Sequence, residues 1–222
     1  FIVEVLVIVV GLTVSFMIDE WRQEQKQREQ EIHILYSIAE DLKADSKFAS
    51  RRIERVGEGI VIAKRLLDTE YASSVHRDSL QNWFRSLQQF NGFMPNNNTY
   101  KTISADARTV ISNARLRKKL QSYYSMDYGF AYDWEDYERK LVSKRREYML
   151  TKLNSSGLTT MQRSRRKQQL QYIVLVYDRP SMIKALSDPI FQSLIRVSIA
   201  AKQETINFAK MRLKSIDELQ SQ

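Results

Sequence analysis

FIVEVLVIVVGLTVSFMIDEWRQEQKQREQ, residues 1 to 30, changes character at one point. Up to Ile18 it is apolar with a single charge, Glu4, and from Asp19 onward it is polar and rich in helix formers. At about 1.5 Å rise per residue, an apolar helix ending at Ile18 covers roughly 27 Å, close to the hydrocarbon thickness of a bilayer. The stretch therefore reads as a transmembrane anchor over residues 1–21, followed by a helical domain over 22–222. A cleaved signal peptide would show a small-residue site after the apolar run, and Phe16-Met17-Ile18 followed by charge offers none. Phe1 is not an initiating residue, so a short preceding piece is expected.

Outward from the junction, punctuation is sparse. Six glycines and three prolines interrupt 222 residues, and the stretches between them are rich in Leu, Ala, Glu, Gln, Lys and Arg. The expected fold is all-α, the anchor helix continuing into an elongated helical bundle. Ile32, Leu35, Ile38, Ala39 and Leu42 continue the helix as a stalk to about residue 67, with a bend or break at Gly57 and Gly59. Further helices are expected over about 75–89, with Leu80, Trp83, Phe84 and Leu87 inward, then about 113–153 and 188–219. NGFMPNNN, residues 91–98, is a loop from which Asn98 or Thr99 caps a short helix. Ser155-Ser156-Gly157 ends the longest soluble helix, and Ser187-Asp188-Pro189 starts the last one. LQYIVLV, residues 170–176, has the aliphatic density of a strand, but a lone strand has no partner here, so a buried helix is expected.

Two segments carry a resemblance. EVLVIVVGLTVSFMIDEW (4–21) and NNTYKTISADARTVISNARLRKKLQSYY (97–124) resemble a bacterial family of uncharacterised single-pass membrane-anchored helical proteins, a domain of unknown function. The first matches its anchor with a mid-helix glycine and a Trp exit. The second matches a loop, a short helix, a break, Leu-Arg-Lys and a Tyr pair. Where that family often has glycine in the break, this chain has Ala105-Asp106-Ala107. The resemblance covers the first 130 residues, and the remainder only by helical character. It implies an N-in anchor and an outside helical domain, and no activity.

Chemistry is thinly represented. Cysteine is absent, which removes disulfides, thiolate metal sites and cysteine nucleophiles. His33 and His76 stand outside any metal-ligand spacing, and Glu29 with His33 reads as a helix-surface contact. Glu40-Asp41 and Glu135-Asp136 are adjacent, so their side chains diverge on a helix and read as solvated charges. There is no G-x-S-x-G and no P-loop. No catalytic, cofactor-binding or metal-binding residue is expected, and the protein reads as non-enzymic.

Residues 105–170 hold fifteen Lys and Arg against seven acids, with clusters at Arg115-Arg117-Lys118-Lys119, Lys144-Arg145-Arg146 and Arg163-Arg165-Arg166-Lys167. Solvated helix faces account for much of this. Arg163, Arg165, Arg166 and Lys167 are the candidates for contact with anionic membrane lipid or an acidic partner, whereas nucleic acid is disfavoured for want of a recognition motif. Seven aromatics crowd residues 123–137, with Tyr124 and Tyr128, and Phe130 and Trp134, as i,i+4 pairs on different faces. One set packs the core, and the other is a candidate surface for a partner or ligand.

Within the anchor, Glu4, Gly11 and Ser15 share one side, where small residues allow close helix approach and an acid seeks a partner. That side is the candidate membrane-helix interface. The flank at residues 19–31 holds five acids and three bases, which disfavours a cytoplasmic location and places the domain in the periplasm of a bacterial inner membrane. The reading is a membrane-anchored scaffold or accessory subunit, forming a homo-oligomer or joining another membrane protein. Two alternatives stand beside it: a ligand-sensing bundle, and a single-span subunit of an ion-driven complex that uses Glu4. The polar end KSIDELQSQ, without a second span, counts against the sensor.

Overall fold

The computed structural model describes residues 2–90, 92, 96, 98–103, 110–165 and 168–221, with the backbone alone at 126–132, 161–165 and 168–172. Among the described residues the chain is all-α apart from one hairpin. Helices α1 (Ile2–Leu67), α2 (Thr69–Ser74), α3 (Arg77–Leu87), α4 (Asn98–Ile103) and α5 (Ala114–Lys152) precede strands β1 (Ser155–Arg165) and β2 (Gln168–Tyr177), and α6 (Arg179–Leu186) and α7 (Pro189–Gln220) close the chain. Residues divide into two compact units: Phe1–Lys47, Pro95–Tyr128 and Lys214–Gln222 form the first, and Phe48–Met94 and Gly129–Leu213 the second.

α1 runs unbroken through Gly57 and Gly59, so the helix is not interrupted there. The reason lies in its buried positions, Ile38, Leu42, Asp45, Ala49, Val56, Ile60, Ala63 and Leu66, which recur at spacings of three, four and once seven and so keep to one face. Val56 and Ile60 straddle the glycines and pack with Ile206, which outweighs the roughly 1 kcal/mol that each helical glycine costs. Of the expected inner stripe, Leu35, Ile38 and Leu42 pack inward while Ile32 and Ala39 are exposed, and Ile34 packs beside Leu35.

The first unit is built on Ile38, Leu42, Ile111, Leu120, Tyr123, Tyr124, Ile216 and Leu219. Two carboxylates of α1 organise it. Asp45 Oδ1 accepts the Asn96 N–H at 2.8 Å and its Oδ2 accepts the Tyr123 hydroxyl at 3.1 Å. Asp41 accepts the Asn96 side-chain amide, and its other oxygen accepts the Thr99 N–H at 3.4 Å. The first turn of α4 is thus capped from α1, not by Asn98 or Thr99. Asn113 caps α5 locally, its Oδ1 accepting the N–H groups of Arg115 and Leu116.

The second unit buries Leu66, Leu80, Phe84, Leu87, Tyr148, Met149, Met182, Phe191 and Ile195 in one cluster, with Trp83 partly buried against it. Phe84 stacks on Phe191 at 5.1 Å between centroids, and burying a side chain of that kind contributes roughly 1.5–3 kcal/mol. Asp188 opens α7 as expected, its Oδ1 accepting the Ile190 N–H at 2.8 Å ahead of Pro189 at the first helical position. Its Oδ2 takes the Tyr148 hydroxyl at 2.8 Å. That bond and the capping N–H groups hold its carboxyl below the usual carboxylate range.

Residues 170–176 correct the expectation of a buried helix. They lie in β2, antiparallel to β1 in the register Ser155↔Tyr177 to Arg165↔Gln168, with a bulge between Ser155 and Gly157. The partner strand is polar, SSGLTTMQRSR, which is why it did not announce itself by an apolar pattern. Gly157 adopts φ +149°, a conformation that side chains rarely take and that suits glycine at a bulge. At the base of the hairpin, Gln81 Oε1 accepts the Tyr177 N–H at 3.0 Å and its Nε2 donates to the Leu175 carbonyl.

Candidate functional site

Every residue from Ile2 to Ile18 is exposed, and this segment of α1 is long and apolar enough to cross a membrane. Beyond its first turn the backbone groups are satisfied within the helix, as hydrocarbon would require. The Thr13 hydroxyl donates to the Val9 carbonyl at 2.8 Å, so this polar group also finds its partner on the same helix. Helical geometry keeps Glu4, Gly11 and Ser15 on one side. A Cβ at Gly11 would meet nothing within 4 Å, which leaves that side open to a neighbour.

Arg163 and Arg165 fall on β1, opposite Leu170 and Gln168, toward the turn end of the hairpin. Arg166 and Lys167 lie outside the described residues. The aromatic candidates separate. Tyr124 is buried in the first unit, stacked on Tyr100 at 4.3 Å and edge-on to Tyr123, and so is core, not surface. Burial raises its hydroxyl pKa well above the ordinary tyrosine value. Trp134 is half-buried in the second unit, its indole N–H donating to Thr205 Oγ1 at 3.1 Å and its ring tilted against Phe208 and Tyr137. The side chains of Tyr128 and Phe130 lie outside the described residues.

Four residues outside those candidates define a site inside the second unit: Arg52 from α1, Glu138 and Arg145 from α5, and Lys202 from α7. Glu138 and Arg145 are each 2 % exposed and Lys202 is 3 %. Arg52 reaches Glu135 Oε1 at 3.3 Å and Glu138 Oε2 at 3.7 Å. Arg145 donates Nε to the Leu87 carbonyl at 2.7 Å and Nη1 to Ser198 Oγ. The Ser198 hydroxyl in turn donates to the Leu194 carbonyl. Burial pushes the guanidinium of Arg145 down to about 10, and lowers Arg52 and Lys202 as well, against the opposing effect of nearby carboxylates.

Two expectations change here. Glu135, read as solvated with Asp136, is turned inward to Arg52, while Asp136 does remain at the surface, paired with Lys140. Asp41 of the other carboxylate pair is likewise engaged, and Glu40 stays on the surface with Lys43. Arg145, one of a run of three bases, is buried while Arg146 is exposed. A signal existed. Arg52 falls between Ala49 and Val56, Arg145 between Val142 and Tyr148, and Lys202 between Ile195 and Ile206, all on buried stripes. A charge on a stripe that is otherwise apolar marks a buried ion.

Among the described residues no group of three or more His, Asp or Glu is placed to hold a metal ion. No family model matches the sequence, and it has no match among curated proteins or solved structures.

Proposed function

We propose that this chain is a single-pass protein of a bacterial inner membrane, a non-catalytic scaffold or accessory subunit whose helical domain stands in the periplasm. It assembles with itself or with another membrane protein through the side of α1 that carries Glu4, Gly11 and Ser15. The observation that supports this reading is the exposure of every side chain from Ile2 to Ile18 on a helix that continues without a break into the packed domain. Seventeen outward apolar-rich positions in water would be an aggregation surface, and lipid makes them favourable. The excess of acids just beyond the span favours the outside location, and the resemblance of residues 4–21 and 97–124 agrees with it. The hairpin, which between Ser155 and Tyr177 carries four bases and no acid, is assigned to an anionic lipid surface or an acidic partner.

Gly11→Leu tests the assembly. With nothing within 4 Å of a Cβ at this position, the added side chain costs the isolated chain nothing, so any effect reports on a neighbouring helix. Gly11→Leu is expected to dissociate the complex in mild detergent, read by cross-linking and by particle mass, while Val9→Leu on another side of the helix leaves it intact. Equal tolerance of both substitutions would reduce the segment to a plain lipid anchor.

A further inference from the structure

Both carboxylate oxygens of Glu138 are cut off from solvent, and neither receives a hydrogen bond. Buried carboxylates ordinarily accept several. The nearest cation, Nη2 of Arg52, stands at 3.7 Å, within ion-pair range but too far for a hydrogen bond. Arg145, about two turns farther along the same helix, has committed its Nε and Nη1 to Leu87 and Ser198. Lys202 enters from α7 directly over Gly59, where even a Cβ would come within 3.3 Å of its Cε and Nζ. The charged groups facing Glu138 are therefore Lys202 from α7, Arg52 from α1, and Arg145 and Glu135 from its own helix. None of them supplies the donors that an ionised carboxylate in this position lacks.

We propose that Glu138 is a reversible proton-binding site buried between α1, α5 and α7, through which the packing of the second unit responds to pH. The proton comes from bulk solvent and returns to it, converting carboxylate to carboxylic acid, and no other bond changes. Protonation removes the cost of holding an unsolvated charge without hydrogen bonds. Desolvation raises this carboxyl above its ordinary value of 4.5, against the opposing effects of Lys202, Arg52 and Arg145. A carboxyl whose pKa is raised on folding gives stability that is fully present below about pH 4.5 and is lost as pH rises through the folded value. Proton uptake thus tightens the second unit, and proton release loosens it.

The test uses the full chain in detergent or bilayer discs, with carbon-13 in its glutamate carboxyls, followed by infrared spectroscopy during a pH titration. A carboxylic-acid band that persists above about pH 5, where exposed carboxyls have ionised, and is missing in Glu138→Gln, is the expected result. The stability of the wild type relative to Glu138→Gln should fall as pH rises across the same window. Lys202→Met removes a cation that favours the carboxylate, so it should move the titration of the band to higher pH. Titration of all glutamates together near their ordinary value, unmoved by Lys202→Met, would overturn the proposal. Should Glu138→Gln fail to fold, the wild type and Lys202→Met decide it between them.

Discussion

Residues 2–18 of α1 turn Ile, Val, Leu and Phe side chains outward on all sides, whereas farther along the same helix Arg52 turns inward to Glu135 and Glu138. Each region inverts the ordinary arrangement of a protein in water, and each does so under a different constraint. The outer apolar surface is favourable only where the surroundings are themselves apolar. The inner charges persist only where opposite charge and hydrogen bonds offset their desolvation. One helix therefore passes from a segment whose stability rests on its surroundings to a segment whose stability rests on its neighbours. A substitution in the first should alter where the chain resides, and one in the second should alter whether it stays folded.

The strongest way to break that contrast is Arg145→Ala. It leaves the Leu87 carbonyl and Ser198 without their donor and takes a cation from beside Glu138, so a loss of about 3–5 kcal/mol is expected in denaturant unfolding. Arg146→Ala, which removes an exposed side chain bonded to the Gln88 carbonyl, is the matched control and should cost much less. Similar losses from the two neighbours would show that position 145 is not a buried ion site.

Val9→Lys probes the other region. A lysine in mid-span costs about 2.5–3.5 kcal/mol of insertion free energy, and the variant should shift from the alkali-resistant membrane fraction toward the soluble one. The fold of the second unit should be unaffected, as followed by the near-ultraviolet dichroism of its Trp83 and Trp134. An unchanged membrane fraction would count against lipid as the medium around residues 2–18.

The finest distinction lies between two glycines two positions apart. Gly57→Ala places its methyl group in open space and should raise stability by about 0.5–1 kcal/mol through helix propensity. Gly59→Ala gains the same propensity but presses on Lys202 at 3.3 Å, so its thermal midpoint should fall below that of Gly57→Ala. Equal gains would mean that Lys202 moves freely, and that the packing around Glu138 is looser than drawn.

Much of the helical frame was legible before any coordinates. Asp188-Pro189 marked the start of α7, Ser155-Ser156-Gly157 the end of α5, and Leu80, Phe84 and Leu87 the inner face of α3, because capping and helical periodicity are local properties. LQYIVLV was misread, and the choice of Tyr124 or Trp134 for the core was left open, for a shared reason. An aromatic or aliphatic side chain carries no record of which neighbour will cover it, and a polar strand such as Ser155–Arg165 gives no sign that it will pair.

Composition alone determined the all-helical character and the apolar segment ending at Ile18, since backbone propensity and transfer free energy are properties of the residues themselves. Tertiary structure alone decided that α1 continues unbroken through Gly57 and Gly59, that Asp41 caps a helix more than fifty residues away, and that Arg52, Glu138, Arg145 and Lys202 meet. The physical reason is that a charge gains or loses its meaning through groups distant in sequence. Only when α1, α5 and α7 are packed does Glu138 lose its water, and only then is the cost of its charge set.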